Sequence, residues 1–158
     1  MNFNQRYFKN YPFIKRFGCA FCSSLYQIYR LIPELQKIDF NLNDWYYIFR
    51  KHKVFNNEGL LIWVNLEKLF AQIKVTPLLF DGTHRELSNV TDRSVISIDY
   101  NPKTANRETH FVAIDEILLS DFAIYDSYWD EIAQLTERYN NGSIKKSIFS
   151  IIQFERKM

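Results

Sequence analysis

At 158 residues the chain has the size of one domain and can bury about two-thirds of its extended surface, so it needs neither a disulfide nor a metal to fold. Its 20 basic and 18 acidic residues leave a net charge of +2, which excludes a dominant nucleic-acid surface. Two cysteines exclude a disulfide framework, and four Gly and four Pro exclude a loop-rich or low-complexity chain. No apolar run reaches the roughly 18 residues that a membrane span requires, and no secretory signal opens the chain. A cytoplasmic protein with no membrane partner is expected.

In chain order, residues 1–17 read as an irregular lead-in, polar and aromatic and broken by Pro12. Gly18 precedes Cys19, and Ala20, Phe21, Leu25, Ile28, Tyr29 and Ile32 then recur at helical spacing. This predicts a helix that opens at Cys19 and stops before Pro33. The stretch Phe40-Asn41-Leu42-Asn43-Asp44 offers several N-cap candidates for a second helix through Trp45, Ile48, Phe49 and His52. After a turn at residues 56–59, a third helix spans residues 60–73, with Leu66, Leu69, Phe70 and Ile73 on its apolar side.

The period then shortens to two. Residues 75–80 and 95–100 read as strands, and the polar stretch 101–108, holding Pro102, reads as a loop. Residues 110–114 and 122–126 form a hairpin turning at Asp121. Asn140-Asn141-Gly142 makes a further turn, and residues 144–154 alternate as a last strand. Helices first and antiparallel strands after is an α+β pattern, and without repeats or linkers the chain reads as a single domain, 1–158.

Three side chains in this frame could do chemistry. Cys19 at a helix start, His110 opening a strand and Asp126 closing the next are the parts of a cysteine nucleophile site. A thiolate attacks, an imidazole activates it, and an acid orients the imidazole. A helix N-terminus would favour the anion further. Cys22, one turn on, reads as a packed core residue, and a bridge between two cysteines on one helical turn would be strained. The pattern Cys19-Ala20-Phe21-Cys22 also resembles a redox pair, but no strand precedes it as a thioredoxin-like βαβ unit demands. A zinc site would need four ligands, and only the scattered His52, His84 and His110 could supply the rest. No cofactor and no metal are expected.

Four stretches together resemble the papain-like cysteine peptidases, in particular the compact bacterial and phage branch similar to the peptidase domain of bacteriocin-exporting transporters. They are Asn4-Gln5-Arg6, Phe17-Gly18-Cys19-Ala20 continuing to Leu25, Thr109-His110-Phe111-Val112-Ala113-Ile114, and Ile124-Tyr125-Asp126-Ser127-Tyr128. Ser127 stands where that family usually has proline. The resemblance implies a papain-like fold, with N-terminal helices packed on a C-terminal antiparallel sheet and a cleft between them. It implies Cys19 as nucleophile, His110 as general base and acid, and Asp126 as the residue that orients it. It also implies Gln5 as the oxyanion-hole side chain, acting with the Cys19 backbone N–H. Gln27, inside the helix, is the poorer alternative to Gln5. The implied partner is a peptide or protein substrate. No transporter segment follows and no wall-binding module fits in 158 residues, so a specific peptide or protein is expected over a leader peptide or a peptidoglycan stem. The rival is an inert papain-fold binding module, such as a phage-encoded inhibitor of a host protein. Its interface would draw on Tyr7, Phe8, Tyr46, Tyr47, Tyr128 and Trp129, because aromatics are enriched at hot spots.

Overall fold

Phe21, Leu25, Ile28 and Ile32 lie on one helical stripe, and in the computed structural model of the protein they line helix α1 (Pro12–Leu31) and its exit. The structure describes residues 3, 4, 6, 12–57, 61–99, 109–139 and 148–158, with residues 12–17 described by their backbone alone. From Gly18 to Leu25 every residue of α1 is buried, the pattern of a helix enclosed on all sides. Ile32 then leaves the helical region, as the residue before a proline does, and Pro33 opens a short 3₁₀ segment, Pro33–Lys37.

Helix α2 (Leu42–Lys51) starts where its cap is strongest. The Asn41 side chain accepts from the backbone N–H of Asn43 and Asp44, and the Asp44 carboxylate accepts from Asn41 N–H at 2.8 Å. Trp45 donates its indole N–H to the Tyr29 hydroxyl at 2.9 Å, which ties α2 to α1. Phe49 sits edge-on to Phe21, ring centres 4.9 Å apart, and also meets Phe70 of helix α3 (Trp63–Ala71). This aromatic contact contributes on the order of 0.5–1.5 kcal/mol beyond its burial.

The strands are β1 (Val75–Asp81), β2 (Ser94–Asp99), β3 (Thr109–Ile117), β4 (Phe122–Asp126), β5 (Glu131–Gln134) and β6 (Ile148–Arg156), with a short helix α4 (Leu135–Tyr139) after β5. They form one six-stranded sheet in the order β1-β6-β2-β3-β4-β5, and every neighbouring pair is antiparallel. The class is α+β, as the order of periodicities predicts. Side chains alternate across the sheet. Val95, Ala113, Tyr125, Ile152 and Phe154 face the three long helices. Ile96, Ile98, Val112, Ile114, Ile124 and Ile151 make a second core on the other face, joined by Leu135 of α4 and Val90.

Three differences from the periodicity reading concern where elements begin and end. Helix α1 opens at Pro12, because proline at the first helical position loses no hydrogen bond and has the right φ. The third helix is shorter than 60–73. Strand β5 and helix α4 come between the hairpin and the last strand. The turn at residues 140–142, Tyr100 and the start of the final strand at residues 144–147 lie outside the described residues.

Two polar contacts fix α1 on the sheet. The buried Gln27 amide donates to Ser94 O at 2.8 Å and Ile114 O at 2.6 Å, and Arg30 donates to Ile114 O, Asp115 O and Asp92 O. On the adjacent face of α1, Tyr26 stacks flat on Tyr125 of β4, with centroids 4.3 Å apart, and buried Phe3 meets both rings edge-on. Among the described residues no helix is long and apolar enough to cross a membrane.

Candidate active site

The site forms where β3 begins and β4 ends. These strands are antiparallel neighbours, so residues 16 positions apart in sequence meet. His110 Nε2 lies 3.0 Å from Asp126 Oδ1. Asp126 is wholly buried, and each of its oxygens is engaged. Oδ1 also accepts the Tyr128 backbone N–H at 3.1 Å. Oδ2 accepts the Tyr139 hydroxyl and lies 3.9 Å from Arg138 Nη1. The β4–β5 turn closes tightly on this carboxylate. Asp130 donates its N–H to Asp126 O at 2.8 Å, holds a positive φ of 56°, and accepts the Tyr125 hydroxyl at 2.7 Å.

Helix α1 brings Cys19 to the other side of the imidazole. The Cys19 thiol and the His110 ring are hydrogen-bonded. One turn further along α1, the Ser23 hydroxyl donates to Phe111 O at 3.2 Å, which pins the helix to β3 beside His110.

The electrostatics follow from this geometry. Burial pushes the Cys19 thiol up, but the hydrogen bond and positive charge of His110 override it, so its pKa falls below the ordinary thiol value. Burial disfavours imidazolium too, yet the bonds to Asp126 and Cys19 raise His110 to about 10. Burial opposes ionisation of Asp126, whereas the His110 bond and charge, Tyr139 and the Tyr128 N–H hold its carboxyl below the usual range. The two shifts run in opposite directions, thiol down and imidazole up, and both favour the thiolate–imidazolium pair. Such a pair is a nucleophile that needs no further base.

Among the described residues Cys22 has no such partner arrangement, and its thiol shifts the other way. It is fully buried in the core, and burial together with the charges of Cys19 and Asp130 drives its thiol well up. Both cysteines are free thiols.

The structure thus brings together Cys19, His110 and Asp126. Two details of the sequence reading require correction. Cys19 is not at a helix start: it lies about two turns past Pro12. The positive pole of a helix acts within its first turn, so it does not supply the activation, and His110 does. By the same token the Cys19 backbone N–H lies inside the helical hydrogen-bond ladder, beyond the first four free donors, and is not available to an oxyanion. Cys19 is also buried, at 5% exposure.

Gln5 lies outside the described residues. Gln27 spends its amide on the Ser94 and Ile114 carbonyls. His52 caps the C-terminus of α2, and His84 ends an exposed 3₁₀ turn. Among the described residues no cluster of three or more His, Cys, Asp or Glu could hold a metal ion. Tyr139 and Arg138 were not anticipated. Their only sequence signal is the four-residue spacing of Leu135 and Tyr139 before the Asn140-Asn141-Gly142 turn. Compared with known proteins, the chain matches no family model and no curated protein.

Proposed function

We propose that the protein is a cysteine-dependent hydrolase of papain-like fold that cleaves an amide bond in a peptide or protein substrate. The observation that carries this reading is the continuous hydrogen-bonded series Cys19–His110–Asp126, in which the thiol is lowered and the imidazole is raised to about 10. Nucleophilic catalysis by cysteine needs that inversion, because the thiolate must exist at neutral pH beside a group able to return a proton.

The thiolate adds to the scissile carbonyl carbon and forms a tetrahedral oxyanion. His110 gives its proton to the departing amine, the C–N bond breaks, and an acyl thioester remains on Cys19. Water then attacks the thioester, with neutral His110 taking its proton, and the acid product leaves with thiolate and imidazolium restored. Asp126 holds the ring in one orientation throughout and stabilises its charged form. Gln5 is the side chain proposed for the oxyanion. Removing one such donor costs on the order of 10²–10³ in turnover, so Gln5→Ala is expected to lower kcat by that factor with little change in KM.

A second reading, an inert binding module on the same scaffold, draws on the half-exposed rings of Tyr128 and Trp129 beside Asp126. Profiling against a diverse peptide mixture separates the two. Wild-type protein should release new peptide termini, and Cys19→Ala should abolish them while unfolding at the same temperature. Cleavage that persists undiminished in Cys19→Ala would rule this mechanism out.

A further inference from the structure

The two oxygens of Asp126 have separate partners, and those of Oδ2 come from an element that takes no part in the chemistry above. Helix α4 presents two consecutive side chains to that oxygen: Tyr139 donates its hydroxyl to it, and Arg138 Nη1 stands 3.9 Å away. We infer that Tyr139 and Arg138 are positioning residues, which hold the Asp126 carboxylate in the rotation that aims Oδ1 at His110 Nε2.

Three observations support this. A carboxylate turns about its last carbon–carbon bond, so a bond to Oδ1 alone leaves the rotation soft. Partners on both oxygens lock it. Arg138 is itself fixed: it pairs with Glu131 of β5 and lies over the Trp129 ring at 5.5 Å. It is therefore a rigid fork held from two sides. Tyr139 also lies against the imidazole in a tilted contact, ring centres 5.9 Å apart, so one side chain touches both members of the His110–Asp126 pair. Among the described residues, the charged or titratable groups against His110 are Cys19 from α1, Asp126 from β4 and Tyr139 from α4, and Arg138 of α4 stands behind Asp126. Glu131 of β5 pairs with Arg138, and Asp99 of β2 stands opposite the neighbouring Thr109.

A buried carboxylate needs partners for satisfaction alone, so the test must separate holding from mere solvation. The sign of one shift does so. If Tyr139→Phe only removed a donor and the carboxylate stayed in place, Oδ1 would become more basic and the His110 titration midpoint would rise. If the hydroxyl holds the rotation, the carboxylate swings away and the midpoint falls. The inference rests on the proposed function only in treating His110 as the working base, and the titration is read without substrate.

The experiment follows the His110 ring protons by NMR from pH 5 to 11 in wild type, Tyr139→Phe and Arg138→Lys, with assignment by His110→Ala. The expected midpoint of Tyr139→Phe is lower by about one pH unit, the scale of a hydrogen bond to a charged group. Arg138→Lys keeps the charge and loses the fork, and should fall by about half that; it stands as the test if Tyr139→Phe does not fold. An unchanged or raised midpoint in folded Tyr139→Phe, or an unchanged midpoint in Arg138→Lys, overturns the inference. Wild-type protein that cleaves no peptide while the midpoint of Tyr139→Phe falls overturns the hydrolase reading and leaves the positioning role standing.

Discussion

The chemistry of this molecule depends on which of two neighbouring groups holds one proton. An isolated thiol near pKa ~8.5 beside an isolated imidazole near ~6.5 would be neutral at pH 7. Here the order is reversed, because Asp126 and Cys19 stabilise imidazolium and imidazolium stabilises thiolate. The sign sets the expected pH profile. A lowered thiol keeps its nucleophilic form as pH falls below the ordinary thiol range. Imidazolium persists until pH rises through about 10, so peptide cleavage should decline above that value. Alkylation of Cys19 by iodoacetamide at pH 6 should exceed that of a simple thiol by about tenfold or more. His110→Ala removes the compensating charge and leaves burial, which raises the thiol and should slow alkylation at pH 6 by about a hundredfold. Mass spectrometry of the modified peptide reads both rates. Equal rates in the two proteins would mean that His110 does not activate the sulfur. Asp126→Ala should lower turnover by orders of magnitude through a misoriented ring; an unchanged rate would assign that task to another group.

At the scale of elements, α1 must be seated within a fraction of an ångström for Cys19 to meet His110. The Gln27 amide does part of that seating by satisfying two strand carbonyls at once. Gln27→Leu has nearly the same shape and leaves Ser94 O without that donor. It should cost about 1–3 kcal/mol in urea unfolding with an unchanged m-value. A cost below about 0.5 kcal/mol, the range of an ordinary surface substitution, would show that Arg30 and the backbone suffice. Some of these elements are plain in the sequence and others are not. The N-cap stretch at residues 40–44, Pro33 and the hairpin about Asp121 carry strong local chemistry and lie where that chemistry predicts, although which of Asn41, Asn43 and Asp44 caps the helix is decided only by the structure. Pro12 is ambiguous on its own, since proline both breaks helices and starts them, and only the packing of α1 decides. Strand β5 and helix α4 are too short to establish a period, and the outward side chains of β5 are mostly exposed.

At the scale of the whole molecule, the last strand inserts between β1 and β2, and β3, β4 and β5 follow outward from there. No local pattern encodes that order, because antiparallel pairing over long sequence distance is decided by which faces must be buried. The candidate triad was legible because His110 opens a strand and Asp126 closes its partner, both at element ends, while Cys19 falls on the apolar helical stripe just after Gly18. The partners of Asp126 on α4 were not, because Tyr139 and Arg138 acquire meaning only when β5 folds back along β4. The central claim is that Cys19 is an activated nucleophile with access to a peptide. The most direct measurement is labelling of the intact protein with an electrophilic peptide probe, followed by mapping of the modified residue. The account predicts one adduct per chain, on Cys19, lost in His110→Ala and absent from Cys22. No adduct on folded wild-type protein, or an adduct on Cys19 that forms equally fast in His110→Ala, would contradict it.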